Sequence, residues 1–279
     1  MKLSIITPTH DTKYLTELED SILENTFQDW EWIILLNNGA EYVSTDERIK
    51  VVRSKKETTN VGALKKEAIE HASGEVIVEV DHDDMITPDA LGKIAQEFKK
   101  DKMVGFVFSD NAKLAEKFIP YNPHYGWTWR YYNWKGRNLI AMNSLPLTPG
   151  RLGFIWYAPD HVRAWRKDIY FLIGGHNEEL PICDDLDLMH RFYMVTRFKH
   201  IPEVLYIYRI DGKNTWLERN KAIQDMTREI YQKNIYQLAE RYSRLNGLNQ
   251  IDLCGAFGKP ESFTSVDVEG GDVIADLDK

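Results

Sequence analysis

The chain has 279 residues, 43% apolar and 28% charged, ordinary proportions for a soluble protein with one large domain or two small ones. A formal charge of -8 disfavours a nucleic-acid partner, which would draw on a basic surface. The two cysteines, Cys183 and Cys254, have no metal-type spacing; they exclude a disulfide framework and fit a reducing compartment.

No apolar run approaches the roughly 20 residues a membrane helix needs, and no signal peptide is visible at the N-terminus. The expected location is therefore cytoplasmic with no transmembrane segment, and peripheral contact with a membrane stays open.

Leu3 to Thr7 is a short apolar run stopped by Pro8, the pattern of a strand buried on both faces. Leu15, Leu18 and Ile22 recur at helical spacing between Tyr14 and Asn25. Trp32 to Leu36 reads as a second buried strand, ended by Asn37-Asn38-Gly39, and Ile49 to Val52 as a third. Val61, Leu64, Ala68, Ile69 and Ala72 mark one face of a helix that Thr59 or Asn60 would cap. Val76 to Val80 is the next strand, and it runs into the acidic stretch Asp81-His82-Asp83-Asp84. Beyond that stretch Thr87 suits an N-cap and Pro88 a first helical position, with Leu91, Ile94 and Phe98 as the buried face. Met103 to Phe108 is a further strand.

Strands alternating with helices imply right-handed βαβ units and a mostly parallel α/β sheet. Ligands of such sheets bind beyond the carboxyl ends of the strands. Pro8-Thr9-His10-Asp11, Asn37-Asn38-Gly39 and Asp81-His82-Asp83-Asp84 all fall at those ends and are expected to converge. Three carboxylates in one turn repel one another, and a hard divalent cation with carboxylate and phosphate oxygens relieves that cost. A solvated acidic turn is the plainer reading of the same residues. Neither Gly-x-Gly-x-x-Gly nor a Walker A sequence is present, which disfavours a dinucleotide-binding domain and a P-loop hydrolase.

Between about 111 and 160 periodicity fades and aromatic residues accumulate, among them Tyr121, Tyr125, Trp127, Trp129, Tyr131, Tyr132 and Trp134, with Arg130, Lys135 and Arg137 interleaved. Aromatic faces stack on sugars or bases and basic groups hold phosphate; a long ordered loop or a packed edge would use the same residues. Order returns at Val162 to Ile173. Gly174-Gly175 and a second acidic cluster follow, Asp184-Asp185-Leu186-Asp187, opening a helix with Leu188, Phe192 and Val195 as its apolar stripe. Capping alone does not require three acids in four positions. Ile201 to Tyr208 reads as a strand leading to Arg209-Ile210-Asp211. The helical pattern from Leu217 to Leu245 either covers the domain or packs on a neighbour, which leaves a homo-oligomer open. The acidic tail over 259–279 is expected to be mobile.

Taken together, these pieces resemble family 2 of the nucleotide-sugar glycosyltransferases, which have the GT-A fold, over residues 1 to 220. The matching segments keep the family's order. They are Ser4-Ile5-Ile6-Thr7-Pro8-Thr9-His10-Asp11, Ser21 to Glu31, Asn37-Asn38-Gly39, Ala72-Ser73-Gly74-Glu75 with the strand and acidic stretch after it, Gly174-Gly175, Asp184 to Leu188, and Tyr208-Arg209. The resemblance implies a nucleotide-binding half over about 1–110, an acceptor-binding half over about 111–220 and a C-terminal helical extension over 221–258. It implies an inverting, Mn²⁺- or Mg²⁺-dependent transfer from a nucleotide-sugar, with UDP as the expected nucleotide, to a glycan or other hydroxyl acceptor.

Carried over by position, the resemblance puts Pro8, His10 and Asn38 at the nucleobase, Asn60 near the ribose or diphosphate, and Asp81 and His82 at the ribose. Asp83 would be the main metal ligand, assisted by Asp81 and Asp211, and Asp185 the general base, with a pKa raised by apolar surroundings. Asp184 and Trp156 would contact the acceptor. Three positions depart from the family pattern: Asn38 replaces Asp, Asp184 replaces Glu, and Asp211 stands where many members carry His. Two other functions fit parts of the sequence. A sugar-nucleotide pyrophosphorylase shares the sheet and metal but calls for a Gly-rich loop after the first strand, and a non-catalytic carbohydrate-binding protein could retain a decayed transferase fold.

Overall fold

The computed structural model describes residues 1–120, 126–154, 159–211, 214, 218–247, 266–268 and 272–274. The expected N-terminal alternation is present as β1 (Leu3–Thr9), α1 (Leu15–Leu23), β2 (Trp30–Leu36), β3 (Ile49–Arg53), α2 (Val61–Glu70), β4 (Val76–Glu79), β5 (Met85–Ile86), α3 (Ala90–Lys100) and β6 (Val104–Leu114). A hairpin follows, β7 (Thr128–Trp134) and β8 (Arg137–Asn143), then α4 (Pro149–Phe154), β9 (Arg163–Arg166), α5 (Lys167–Leu172), α6 (Asp184–Val195), β10 (Arg197–Arg209) and α7 (Asn220–Asn246). β11 (Val266–Val268) and β12 (Asp272–Ile274) form a separate antiparallel pair; the rest of the acidic tail lies outside the described residues.

The main sheet runs β3-β2-β1-β4-β9-β6-β10-β5, with β8 and then β7 attached to the far half of β6. Pairs β1–β2, β1–β4, β2–β3 and β6–β10 are parallel, as alternating patterns require. β9 lies antiparallel between β4 and β6. Its direction follows from the chain path, because the hairpin and α4 bring the chain back to the edge where the parallel strands end.

Successive strand side chains point to opposite faces, and the two cores divide accordingly. Ile5, Trp32, Ile34 and Val78 pack with Leu18 and Ile22 of α1 and Leu91, Ile94 and Phe98 of α3. Ile6, Ile33, Ile77, Phe106 and Trp165 face the other way, onto Leu64 and Ile69 of α2, Leu188 and Phe192 of α6, and Leu238 of α7. α7 therefore covers its own domain. Among the described residues no helix is long and apolar enough to cross a membrane.

Two local expectations change. α3 starts at Ala90, and Thr87, rather than capping it, donates its hydroxyl to Asp89 Oδ1 and its amide to Leu205 O. The aromatic stretch is a hairpin turning at Lys135-Gly136, both at positive φ (46° and 83°), the geometry of a tight two-residue turn. One hairpin face carries Trp134, Leu139 and Ala141 onto Met85, Ala112 and Ile207. The opposite face leaves Trp129 and Tyr131 exposed. Both faces carry aromatics, so no polar alternation marked the strands.

Beneath the end of the sheet remote from the ligand edge, Glu31 is almost fully buried. It accepts from Ser4 Oγ (2.7 Å), Ser73 Oγ (2.8 Å) and Lys50 Nζ (2.7 Å). Burial opposes its charge, but these donors hold its carboxyl well below the usual range. A depressed carboxylate adds stability above its unfolded pKa and loses it as pH falls toward the folded value. Glu31→Gln should lower unfolding free energy by about 1–3 kcal/mol at neutral pH. In urea titrations the gap from the parent should close as pH drops below the ordinary glutamate range.

Candidate active site

β1, β2 and β4 are parallel, so Thr9, Leu36 and Glu79 end on one edge, and antiparallel β9 begins there with Arg163. The three polar stretches converge as expected. Beyond β2 and β3 an open cleft of about 750 Å³ is lined by Asn37, Asn38, Arg53, Lys56, Thr58 and Thr59. Asn38 (φ 50°) and Gly39 (φ 78°) make its tight turn in the left-handed region that Asn and Gly tolerate. At the end of β1, partly buried Pro8 leads to His10, whose ring meets that of His82 edge-on with centroids 5.3 Å apart.

The acidic turn is anchored from β10. Arg209 donates its backbone N–H to Asp84 Oδ1 (2.6 Å) and its Nε to Asp83 O (2.7 Å), and the Tyr206 hydroxyl accepts from Asp81 N (3.1 Å). Asp84 is buried and supports the turn. Among the described residues none hydrogen-bonds the Asp83 carboxylate. Asp81 keeps 40% side-chain exposure and has His161 Nε2 3.7 Å away. Partial loss of water, with repulsion from Glu79 and Asp83, pushes the Asp81 carboxyl up to about 7. Exposed Asp211 lies within electrostatic reach of His82 and Lys13.

The chemistry of this donor set fits a divalent cation, because hard oxygens crowd together with too little positive charge. Among the described residues no three His, Cys, Asp or Glu side chains form a ready-made cage. Asp83 and Asp81 would hold the ion, with remaining oxygens supplied by a ligand such as a diphosphate.

Behind the turn lies a buried charge network. Lys65 Nζ sits 2.8 Å from Glu79 Oε1 and 3.4 Å from Asp184 Oδ2. Burial disfavours its charge, yet Asp184 and Glu79 hold Lys65 protonated with a raised pKa. Arg163 NH1 donates to Asp185 Oδ2 at 2.6 Å. His176 Nε2 stands 3.8 Å from Asp184 Oδ2, and burial beside Lys65 lowers its pKa to about 3. His161, buried beside Arg163 and stacked on Tyr206 at 4.9 Å, falls to about 4. Gly62 lets α2 and α6 meet, since a Cβ there would stand 3.0 Å from Asp184 Cβ.

The predicted residues thus separate. Pro8, His10, Asn38, Asp81, His82, Asp83, Asp185 and Asp211 lie around the ligand edge. Asn60 caps α2 through Ala63 N (2.8 Å) and donates to Glu178 O (2.9 Å) and Leu180 O (2.8 Å), so its amide serves the loop leading to α6. Asp184, expected at the acceptor, is buried against Lys65, while the neighbouring Asp185 side chain is 23% exposed. The raised pKa expected for Asp185 is not found. Burial does push it upward, but Arg163 and Lys65 hold it below the usual value, and Asp184 is the raised member. Trp156 lies outside the described residues.

Lys65, Glu79, Arg163, His161 and His176 were missed. Three had a signal: Glu79 interrupts an apolar strand, Lys65 falls on the apolar face of α2, and Arg163 sits in the run Val162-Arg163-Ala164-Trp165. A charge forced inside asks for a partner.

A model of the family described as "Glycosyl transferase family 2" matches residues 4–155, more than half of the chain. The chain belongs to glycosyl transferase family 2. A hyaluronan synthase of Pasteurella multocida is 25% identical over 229 residues, covering 78% of this chain and 21% of that protein. A chondroitin synthase of Escherichia coli is 23% identical over 262 residues, covering 89% and 35%. The chain thus spans about a fifth to a third of the length of these relatives.

Among solved structures, S. aureus TarS 1-349 in complex with UDP-GlcNAc aligns with a TM-score of 0.61 and 17% identity, covering 94% of this chain and 77% of that one. The mannosyltransferase PcManGT of Pyrobaculum calidifontis, in complex with GDP-Man and Mn²⁺, gives 0.52 and 16%, covering 93% and 76%. These likenesses show the GT-A fold expected from the sequence.

The network also sets a stability test. Lys65→Met would leave Glu79 buried without its nearest cation, a change that typically costs about 3–5 kcal/mol. Chemical denaturation should register that loss, and a variant as stable as the parent would show that the Lys65–Glu79 pair does not hold the site.

Proposed function

We propose that this domain of glycosyl transferase family 2 moves a sugar from a UDP-sugar to an acceptor hydroxyl, with inversion at the anomeric carbon and with Mn²⁺ or Mg²⁺ bound. The observation that carries the reading is the convergence of three features on one sheet edge: the cleft at Asn38, the carboxylate turn at Asp83 and the partly exposed Asp185. The bound molecules named for TarS and PcManGT, UDP-GlcNAc in one and GDP-Man with Mn²⁺ in the other, support a nucleotide-sugar and a metal.

In this reading the base lies in the cleft, where the Asn38 amide oxygen can accept from uracil N3–H while Pro8 and His10 flank it. His82 and Asp81 border the ribose, and Asp83, with Asp81 and Asp211, would hold the metal. The metal, when bound, neutralises charge developing on the diphosphate leaving group. Asp185 takes the acceptor proton as the hydroxyl oxygen bonds to the anomeric carbon, and the bond from that carbon to the diphosphate oxygen breaks on the opposite side. A base kept ionised is ready at neutral pH. Asp184, buried behind it, belongs to the support of the acceptor side, and alignment of donor and acceptor supplies much of the acceleration. The turn Thr9-His10-Asp11 after β1 has no Gly-rich loop, which favours transfer over pyrophosphorylysis.

Turnover of a panel of nucleotide-sugars with Mn²⁺ or Mg²⁺ tests the donor class. Asp185→Asn should reduce transfer by about 10²–10⁴-fold while calorimetric UDP affinity stays near the parent's; retention of most turnover would refute the base assignment. Asp83→Ala should remove the Mn²⁺-dependent part of UDP affinity. If affinity with Mn²⁺ is the same in that variant, Asp83 is not the metal anchor.

A further inference from the structure

Asp185 is held by one cation whose burial stability alone does not explain. Arg163 is 3% exposed, yet the anion it binds keeps 23% side-chain exposure. Taking a guanidinium out of water costs several kcal/mol unless its partners compensate, and Asp185 could be solvated without it. Glu79, opposite Arg163 in the β4–β9 ladder, already has Lys65 at 2.8 Å. Buried Asp160, whose charge also bears on Arg163, has Lys113 Nζ at 3.3 Å, so neither acid depends on Arg163 alone.

The geometry around it is directional. Arg163 Nε donates to Pro159 O (2.8 Å), which fixes the guanidinium plane, and NH1 is then aimed at Asp185 Oδ2 (2.6 Å). The other carboxylate oxygen, Oδ1, accepts from Leu186 N (2.8 Å) at the first turn of α6. Each oxygen is gripped from a different element, so the carboxylate cannot rotate freely. We propose that Arg163 is a positioning residue for Asp185, fixing the direction in which that carboxylate meets the acceptor hydroxyl. This rests on the reading of Asp185 as general base. Arg163 itself need touch neither donor nor acceptor.

The groups facing Asp185 are Asp184 and Cys183 at the start of α6, His176 from the loop before it, Lys65 from α2, Glu79 from β4 and Arg163 from β9. Burial, Asp184 and Glu79 act against its charge, while Arg163 and Lys65 favour it. Removing the Arg163 charge must therefore raise the Asp185 carboxyl. Asp184 lies beside Asp185 and is pushed up by its charge, so an Asp184→Asn background isolates the second group.

The test is a ¹³C NMR titration of aspartate carboxyls in the full chain, with Asp185 assigned by difference from Asp185→Asn. Arg163→Met should move the Asp185 midpoint up by about 1–3 pH units, and Arg163→Lys should return most of that shift. UDP release from UDP-GlcNAc with Mn²⁺ gives the second readout: in Arg163→Lys, kcat should fall with donor KM little changed, because lysine cannot reproduce the fixed fork. An unmoved midpoint in Arg163→Met overturns the inference, as does a lysine variant that matches the methionine variant in midpoint or the parent in kcat. Should the methionine variant fail to fold, the lysine variant decides by its kcat. Failure of the base reading is separate, since it shows as turnover surviving Asp185→Asn.

Discussion

One buried ammonium holds the two halves of the site together. Lys65 projects from α2 into a space where Glu79 of β4 and Asp184 of α6 would otherwise face each other as uncompensated anions. Coulomb attraction in a dry interior is strong, but so is the cost of desolvation, and the balance is favourable only when every charge has a partner. Because these three charges lie on three different elements, Lys65 adds a polar tie between β4 and α6 to the apolar packing of Ile77 with Leu188 and Phe192.

The same constraint divides labour within each acidic cluster. In the turn, Asp84 is used internally, pinned by Arg209 N, which leaves Asp83 directed outward. In the helix start, Asp184 is internal against Lys65 and Asp185 outward, with Arg163 at its carboxylate. Neighbouring carboxylates of one residue type thus differ in role through burial and partners alone. In each pair one aspartate is buried and its neighbour keeps part of its surface open.

Much of this was legible in the residues. Apolar runs such as Val76 to Val80 marked the central strands, and the polar stretches after them marked the ligand edge, since parallel strands must end on one side. A cap at Thr59 or Asn60 was readable from the residue types before an amphipathic pattern, though the bonds of Asn60 to Glu178 O and Leu180 O were not, because they join positions far apart in the chain. The direction of β9 was equally hidden. Four residues carry no periodicity, and only the return path from the hairpin sets their orientation. The pKa order of Asp184 and Asp185 depends on Lys65 and Arg163, whose positions no local pattern relates.

The antiparallel strand has a consequence for how the chain comes to be folded. β3-β2-β1-β4 and β6-β10 are two parallel blocks with no direct pairing between β4 and β6; Arg163–Arg166 is the seam that joins them. Until residue 163 has emerged, the buried strand β4 presents an unpaired edge of Val76, Ile77, Val78 and Glu79, a surface prone to mispairing. The contact that closes it is of long range in sequence and correspondingly slow to form. The two parallel blocks therefore complete one sheet only together. The strand that closes the sheet also delivers Arg163, so the outward carboxylate gains its cationic partner only when the fold itself is complete.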